Sequence, residues 1–380
     1  MKIGIVCYPT FGGSGVVATE LGMGLANRGH EVHFITYKRP VRLGHFQSNI
    51  YFHEVNALDY PLFEYAPYDT TLASKLVDVI KFENLDLLHV HYAIPHATIA
   101  FVVKSILKTM GIKIPVITTL HGTDITLVGA DASFASVVEF SINQSDGVTA
   151  VSENLKNDTF KSFHINKDIR VIYNFIDFTR FRKIDKEHFK KAIAPHNEKI
   201  LIHTSNFRKV KRVDDVITVF KKVHDQVPCK LMLIGDGPER QRLEEQCRKT
   251  KEICDDVRFL GKQDAIEELL AISDLFIIPS ENESFGLAAL EAMACEVPVI
   301  SSDAGGLPEL NIHGRSGCVL PVGDTDGMAA HSIKLLQDPD LLSQYKKQAY
   351  ERAKEFDIEI ILPQYEQYYE EIRAKVLAEA

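Results

Sequence analysis

Apolar residues in this chain fall into short runs of strand length that alternate with stretches of helical period. Runs at residues 2–8, 31–36, 50–55, 85–90, 116–120, 147–151 and 170–173 predict a first series of strands. A polar, charge-rich segment at 177–199 follows. Runs at 200–204, 230–234, 257–260, 275–279, 297–301 and 318–321 then predict a second series. Amphipathic stretches such as 16–27, 70–82 and 94–110 lie between the strands and predict helices. This alternation is the pattern of parallel βαβ units, so the fold class is α/β, with two doubly wound sheets in tandem facing a cleft. The last stretch, 363–380, is helical by composition, with Pro363 at the first turn, where proline is tolerated. No strand follows it, so it is expected to cross back to the N-terminal domain. The expected domains are residues 1–170 plus 363–380, and residues 171–362.

Composition narrows the picture. The chain has 380 residues, 45% hydrophobic and 25% charged, as a soluble globular protein with two sizeable cores would. A formal charge of −9 argues against a general nucleic-acid binder. No apolar run approaches the ~18 residues of a membrane span, and the first residues are too short for a signal peptide. The six cysteines form no Cys-x-x-Cys pair, which suggests reduced thiols in a cytoplasmic protein.

Ligands of doubly wound sheets bind beyond the carboxyl ends of the strands, and several unusual segments are predicted there. Ser280-Glu-Asn-Glu-Ser-Phe-Gly-Leu-Ala-Ala-Leu-Glu291 follows a strand and opens a helix near Gly286, a ready site for an anion. Glu283 would sit in the turn, and Glu291 roughly 7–8 Å along the axis from Gly286 at ~1.5 Å per residue. A phosphate with a hydroxyl-rich group at each end, as in a nucleotide-sugar, fits that spacing; a helix with an acidic start would read the same. Ser205-Asn-Phe-Arg-Lys-Val-Lys-Arg212 puts four cations in five residues beyond another strand, either a diphosphate clamp or a solvated loop. Glycine turns at Gly235–Gly237, Gly261-Lys262 and Gly305–Gly306 end further strands of the second series.

In the first series, Pro9-Thr-Phe-Gly-Gly-Ser-Gly15 precedes a helix that Ser14 is expected to cap. Its three glycines exceed what a turn needs, so Gly13, Ser14 and Gly15 are candidate ligand contacts. Thr118-Thr-Leu-His-Gly-Thr-Asp124 offers His121 as a base, a hydrogen-bond donor or a cap, with Asp124 capping or orienting the loop. His89-Val-His-Tyr-Ala-Ile-Pro-His96 holds three histidines, but no carboxylate or cysteine completes a metal set. Tyr92 is the preferred site-lining residue there. A dinucleotide-dependent oxidoreductase is disfavoured because neither first turn carries Gly-x-Gly-x-x-Gly. A binding protein that does not turn over its nucleotide-sugar stays open.

Taken together, these segments resemble the retaining GT-B glycosyltransferases of family four, essentially end to end. Glu283-x7-Glu291 with Ser284-Phe285-Gly286-Leu287 is similar to that family's signature, Lys211 to its donor-phosphate lysine, and His121-Gly-Thr-Asp to its N-domain histidine loop. One departure stands: the family's Gly-Arg before the lysine reads Ser205-Asn206, so the arginine's role falls to Asn206 or Arg208. Several strings, among them Thr-Leu-His-Gly-Thr-Asp-Ile-Thr and Tyr-Asn-Phe-Ile-Asp, resemble the branch that transfers GlcNAc from UDP-GlcNAc to L-malate in bacillithiol biosynthesis. The rival is the same donor class with another acceptor, such as inositol phosphate, a lipid or a polysaccharide.

The resemblance implies Lys211, Arg208, Glu283 and His121 as catalytic residues. It implies donor contacts from Gly15, Asn206, Gly237, Lys262, Ser284, Phe285, Gly286, Leu287 and Glu291. Acceptor contacts are expected from Gly13, Ser14, Tyr92 and Thr119. No cofactor and no metal are expected, UDP-GlcNAc being a substrate, and the partners are the two substrates, with no nucleic acid and no membrane. A homodimer is left open.

Overall fold

The computed structural model describes residues 1–44, 46–56, 67–127, 131–250 and 253–378. The chain divides into two compact units, Met1–Asn174 with Glu359–Ala380, and Phe175–Ile358.

The first unit is a seven-stranded parallel sheet. Its strands are β1 (Lys2–Val6), β2 (Glu31–Thr36), β3 (Ile50–Glu54), β4 (Leu87–His91), β5 (Val116–Leu120), β6 (Gly147–Ala150) and β7 (Arg170–Val171). Their spatial order is β3-β2-β1-β4-β5-β6-β7. The order reverses between β1 and β4, which pair through Ile3–Leu87 to Val6–Val90. Strands β1, β2, β4 and β5 are buried almost throughout, which is why they read as continuous apolar runs.

The second unit is a six-stranded parallel sheet. Its strands are β8 (Lys199–Thr204), β9 (Cys229–Ile234), β10 (Val257–Gly261), β11 (Leu275–Ile278), β12 (Val299–Ser302) and β13 (Gly317–Leu320). Here the order is β10-β9-β8-β11-β12-β13, with the reversal between β8 and β11. The helix Val213–His224 packs Val216, Phe220 and Val223 into a core shared with Leu231, Leu233 and Ile277.

Three expectations are corrected. The C-terminal helix runs Ile358–Ala378, so Pro363 lies inside it rather than at its first turn. Helix starts depend on where a chain first packs, and this one begins beside the Ile176–Asp357 bridge. Secondly, the helix expected over 94–110 begins only at Thr98, because Ile94 is extended within the preceding turn Ala93–Ala97. Thirdly, Ser14 does not cap the first helix. Gly12 occupies the N-cap without a side-chain bond, and Ser14 lies inside Gly13–Asn27.

The C-terminal helix groups with the first unit. Tyr369 Oη meets His89 Nδ1 at 2.7 Å, and Tyr368 Oη accepts from the Val148 amide at 2.9 Å. Arg373 reaches Asp86, and Glu366 accepts from Arg28.

Candidate active site

The reversal of strand order opens a crevice at the carboxyl ends of the two strands that flank it, and both units place their unusual loops there. In the second unit the loop after β8 carries the basic cluster and the loop after β11 carries Glu283. Lys211 Nζ lies 2.5 Å from Glu283 Oε1, with the two side chains only 18% and 14% exposed. Ser280 donates to the same oxygen at 3.0 Å, and the Glu281 amide donates to the Val210 carbonyl at 2.9 Å, so backbone and side chain both join the loops. The other cations of the cluster diverge. Arg212 turns to Asp215 and Glu281, at 2.7 and 3.6 Å. Arg208 and Asn206 are exposed.

Glu283 is fixed from below by glycines. The Gly306 amide donates to the Glu283 carbonyl, and a Cβ on Gly305, whose φ is +55°, would stand 2.0 Å from that oxygen. The helix Leu287–Ala294 then starts at Gly286, in left-handed conformation, with no side chain capping it. The Ala289 and Leu290 amides both donate to the Gly286 carbonyl, at 2.9 and 3.1 Å, and the Leu287 and Ala288 amides ahead of them stand at the positive end of the dipole. Glu291 is 5% exposed on the second turn. The Phe285 ring is buried and packs edge-on to Phe356, while Ser284 and Leu287 on either side of it are partly exposed. Gly237 lies against the Asn206 carbonyl, and Lys262 is exposed just beyond Gly261.

Sequence reasoning missed His203 on β8. Its Nδ1 meets the Ile277 carbonyl and its Nε2 meets Ser205 Oγ, both at 2.8 Å. A carbonyl only accepts, so the proton sits on Nδ1 and the Ser205 hydroxyl donates to Nε2. Burial lowers this ring to about 4, which keeps it neutral under the loop that presents Lys211. Nothing in a lone strand histidine signals this role.

The first unit builds its crevice from hydroxyls, imidazoles and one buried carboxyl. Tyr92, at a φ of +84°, donates its hydroxyl to Ser14 Oγ at 2.6 Å and thereby joins the loops after β1 and β4. Asp124 is buried and accepts from the amides of Ala93, His121 and Gly122, so it orients its loop as expected. His121 Nε2 lies 2.8 Å from His91 Nδ1, and the His89 and His91 rings stack at 4.5 Å. Burial holds His121 and His89 down at about 3 and His96 at about 4. All three are therefore neutral imidazoles at neutral pH.

Two glycine-loop and strand-end assignments change character. A Cβ on Gly15 would stand 2.5 Å from the carbonyls of Tyr8 and Thr10, so backbone packing alone requires glycine there. Thr119 is fully buried and its hydroxyl is shared between His89 Nε2 and Thr149 Oγ1, each at 2.7 Å. It supports β4 and β6 from inside the sheet, as alternation along a strand puts one threonine of a Thr-Thr pair on each face.

Residues 11–180 match Glycosyltransferase Family 4, and residues 184–352 match Glycosyl transferases group 1. The chain is 52% identical, over 98% of its length and 97% of the relative's, to N-acetyl-alpha-D-glucosaminyl L-malate synthase of Bacillus anthracis. The chain belongs to glycosyltransferase family 4. An uncharacterized glycosyltransferase of Methanocaldococcus jannaschii, MJ1607, is 28% identical over 93% of this glycosyltransferase and 94% of its own chain. Among solved structures, sucrose-phosphate synthase from Thermosynechococcus elongatus superimposes with a TM-score of 0.81 at 22% identity, covering 98% and 99% of the two chains. Anabaena Alr3699/HepE in complex with UDP and glucose gives 0.81 at 20% identity, over 97% and 99%. This family-4 glycosyltransferase thus has the GT-B fold, with one Rossmann-like sheet in each unit.

Proposed function

We propose that this glycosyltransferase moves GlcNAc from UDP-GlcNAc to the hydroxyl of L-malate, retaining the α configuration and using no metal, in bacillithiol biosynthesis. The observation that carries the reading is the Lys211–Glu283 pair at the strand-order reversal, beside an uncapped helix start. The 52% identity to a GlcNAc–malate synthase supports the acceptor, and HepE's complex with UDP and glucose supports the donor class.

Glycosyl transfer leaves negative charge on the departing diphosphate. Lys211, Arg208 and the first-turn amides of the Gly286 helix stabilise it, as preorganised donors do. An ammonium has three donors, so Lys211 can keep Glu283 while it engages a phosphate oxygen. Glu283 accepts from the sugar hydroxyls and Glu291 from the ribose. Backbone groups of Ser284, Phe285, Gly286 and Leu287 hold sugar and phosphate, with Asn206, Gly237 and Gly15 at the diphosphate and Lys262 near the uracil. His121, neutral because burial holds it near 3, offers an uncharged hydrogen bond to the sugar's primary hydroxyl. Malate lies against Gly13, Ser14 and Tyr92, with Thr119 supporting them from within the sheet.

The malate hydroxyl attacks the anomeric carbon on the face the diphosphate leaves. The new C1–O bond forms as the C1–O bond to UDP breaks, and the hydroxyl proton passes to the leaving phosphate oxygen. UDP release is the direct test, with UDP-GlcNAc supplied against L-malate, other hydroxy acids and polyols, with and without EDTA. Malate-dependent release, undiminished by EDTA and giving an α-linked product by NMR, is the expected result. Release with another acceptor but not malate overturns the acceptor, and activity that needs added metal overturns the clamp.

A further inference from the structure

Away from these loops, the outer edge of the first sheet brings together a set of side chains that the transfer reaction does not use. His33 on β2, His53 on β3 and Glu83 at the end of the helix Tyr68–Glu83 each present one donor atom, and all three atoms lie within 4.8 Å of one another. His33 is fully buried, and its Nδ1 stands 2.9 Å from His53 Nε2. Its other nitrogen, Nε2, is 3.0 Å from Glu31 Oε1, and Glu31 is itself held by Lys2 at 2.9 Å. A carboxylate only accepts, so Glu31 holds the His33 proton on Nε2 and leaves the Nδ1 lone pair aimed at His53. This is the carboxylate–histidine arrangement that orients an imidazole for a metal. The His33 ring is further fixed by stacking on Tyr51 at 4.7 Å and 13°.

We propose that His33, His53 and Glu83 form a binding site for a divalent transition metal of the zinc class, with Glu31 orienting His33. Two imidazoles and one carboxylate are a familiar zinc donor set, with the fourth position left to water. Metal–nitrogen bonds of about 2.0–2.1 Å at a tetrahedral angle put two ligating nitrogens about 3.3 Å apart. The 2.9 Å contact opens by a few tenths of an ångström, and the Glu83 carboxylate closes in by a rotamer change. The hydrogen between His33 Nδ1 and His53 Nε2 gives way to the metal, and the His53 proton moves to its Nδ1. Lys75 lies close enough to His53 to act on it electrostatically, and Glu83 acts on it in the opposite sense. The bound ion would pin the edge strand β3 to β2 and to the end of the helix. It differs from the metal-free transfer chemistry proposed above and does not depend on it.

The test uses the full, untagged chain, stripped with chelator and titrated with Zn(II) by calorimetry and with Co(II) by absorption. One high-affinity equivalent is expected, with visible Co(II) bands of four-coordinate intensity and a Tm raised by Zn(II). His53→Ala and Glu83→Gln, chosen because neither side chain is fully buried, should each weaken binding at least tenfold while keeping the chelated Tm near that of the parent. Wild type binding no more tightly than the His53→Ala, Glu83→Gln double variant overturns the site. Should a variant fold poorly, six-coordinate, water-rich Co(II) spectra on the wild-type chain overturn it as well.

Discussion

The two crevices of this glycosyltransferase occupy the same place in their sheets yet are built from opposite chemistry. Beyond β1 and β4 the loops are joined by a neutral bond, Tyr92 to Ser14, over a set of buried, uncharged histidines. Beyond β8 and β11 they are joined by an ion pair, Lys211 to Glu283, that keeps partial access to water. Parallel topology dictates where each crevice opens; the residues at the strand ends dictate what it can hold. A diphosphate needs fixed positive charge, which the second unit supplies. The first unit offers rigid hydroxyls and imidazoles that carry no charge near neutral pH and, among the described residues, no cation of the kind Lys211 provides.

The largest expected break of this contrast is Lys211→Ala. Removing one preorganised donor from developing negative charge costs about 10²–10³ in kcat. Steady-state UDP release should show that loss with the KM for malate nearly unchanged. Unaltered turnover would remove Lys211 from the clamp.

Next comes Gly305→Ala. Its Cβ meets the Glu283 carbonyl at 2.0 Å from a left-handed backbone, so the Glu283 turn has to shift. A stability loss of about 3 kcal/mol is expected from strain of this kind, read by denaturant unfolding. A variant as stable and active as the parent would show that the turn is not fixed from below.

Acid should separate the units. A histidine whose pKa is lower folded than unfolded takes up a proton on unfolding, so its stabilising effect is full above about 6.5. It is lost as pH falls from there towards about 3 for His89 and His121 and about 4 for His96. Each ring contributes at most ~1.4 kcal/mol per pH unit. Among the described residues of the second unit, His203 is the one histidine with no exposed surface, and burial lowers it to about 4. Hydrogen exchange between pH 6.5 and 5 should therefore open β4 and β5 before β8 and β11. Uniform loss of protection would contradict the contrast.

The smallest effects sharpen the roles of two first-unit hydroxyls. Tyr92→Phe removes the bond to Ser14, worth about 1 kcal/mol, and should raise the malate KM a few-fold with little change in Tm. Thr119→Val strands His89 Nε2 inside the sheet, which costs about 1–3 kcal/mol, and should lower Tm while leaving the malate KM alone. Reversed results would exchange their assignments.

Much of this is legible in the sequence. Apolar runs set by two-sided burial located nearly every strand, and glycine-rich, charged segments at their ends located both crevices. The Glu283–Glu291 spacing across Gly286 needed only the pitch of a helix. Local rules failed where a neighbour decides. Ser14 looked like a cap, but its hydroxyl is claimed by Tyr92, 78 residues on. Gly15 looked like a glycine kept for a ligand, and the carbonyls of Tyr8 and Thr10, which an added Cβ would crowd, supply a second reason for it.

By itself, then, the order of residues determined the two parallel sheets, the position of the reversal loops and the family, because those depend on burial period and on short strings. Tertiary structure alone decided which cation of the cluster meets Glu283, that His121 leans on His91, and that Thr119 is internal. It also decided that His33, His53 and Glu83 converge. Such pairings join residues that are far apart along the chain, and only the register of neighbouring strands brings them within bonding distance.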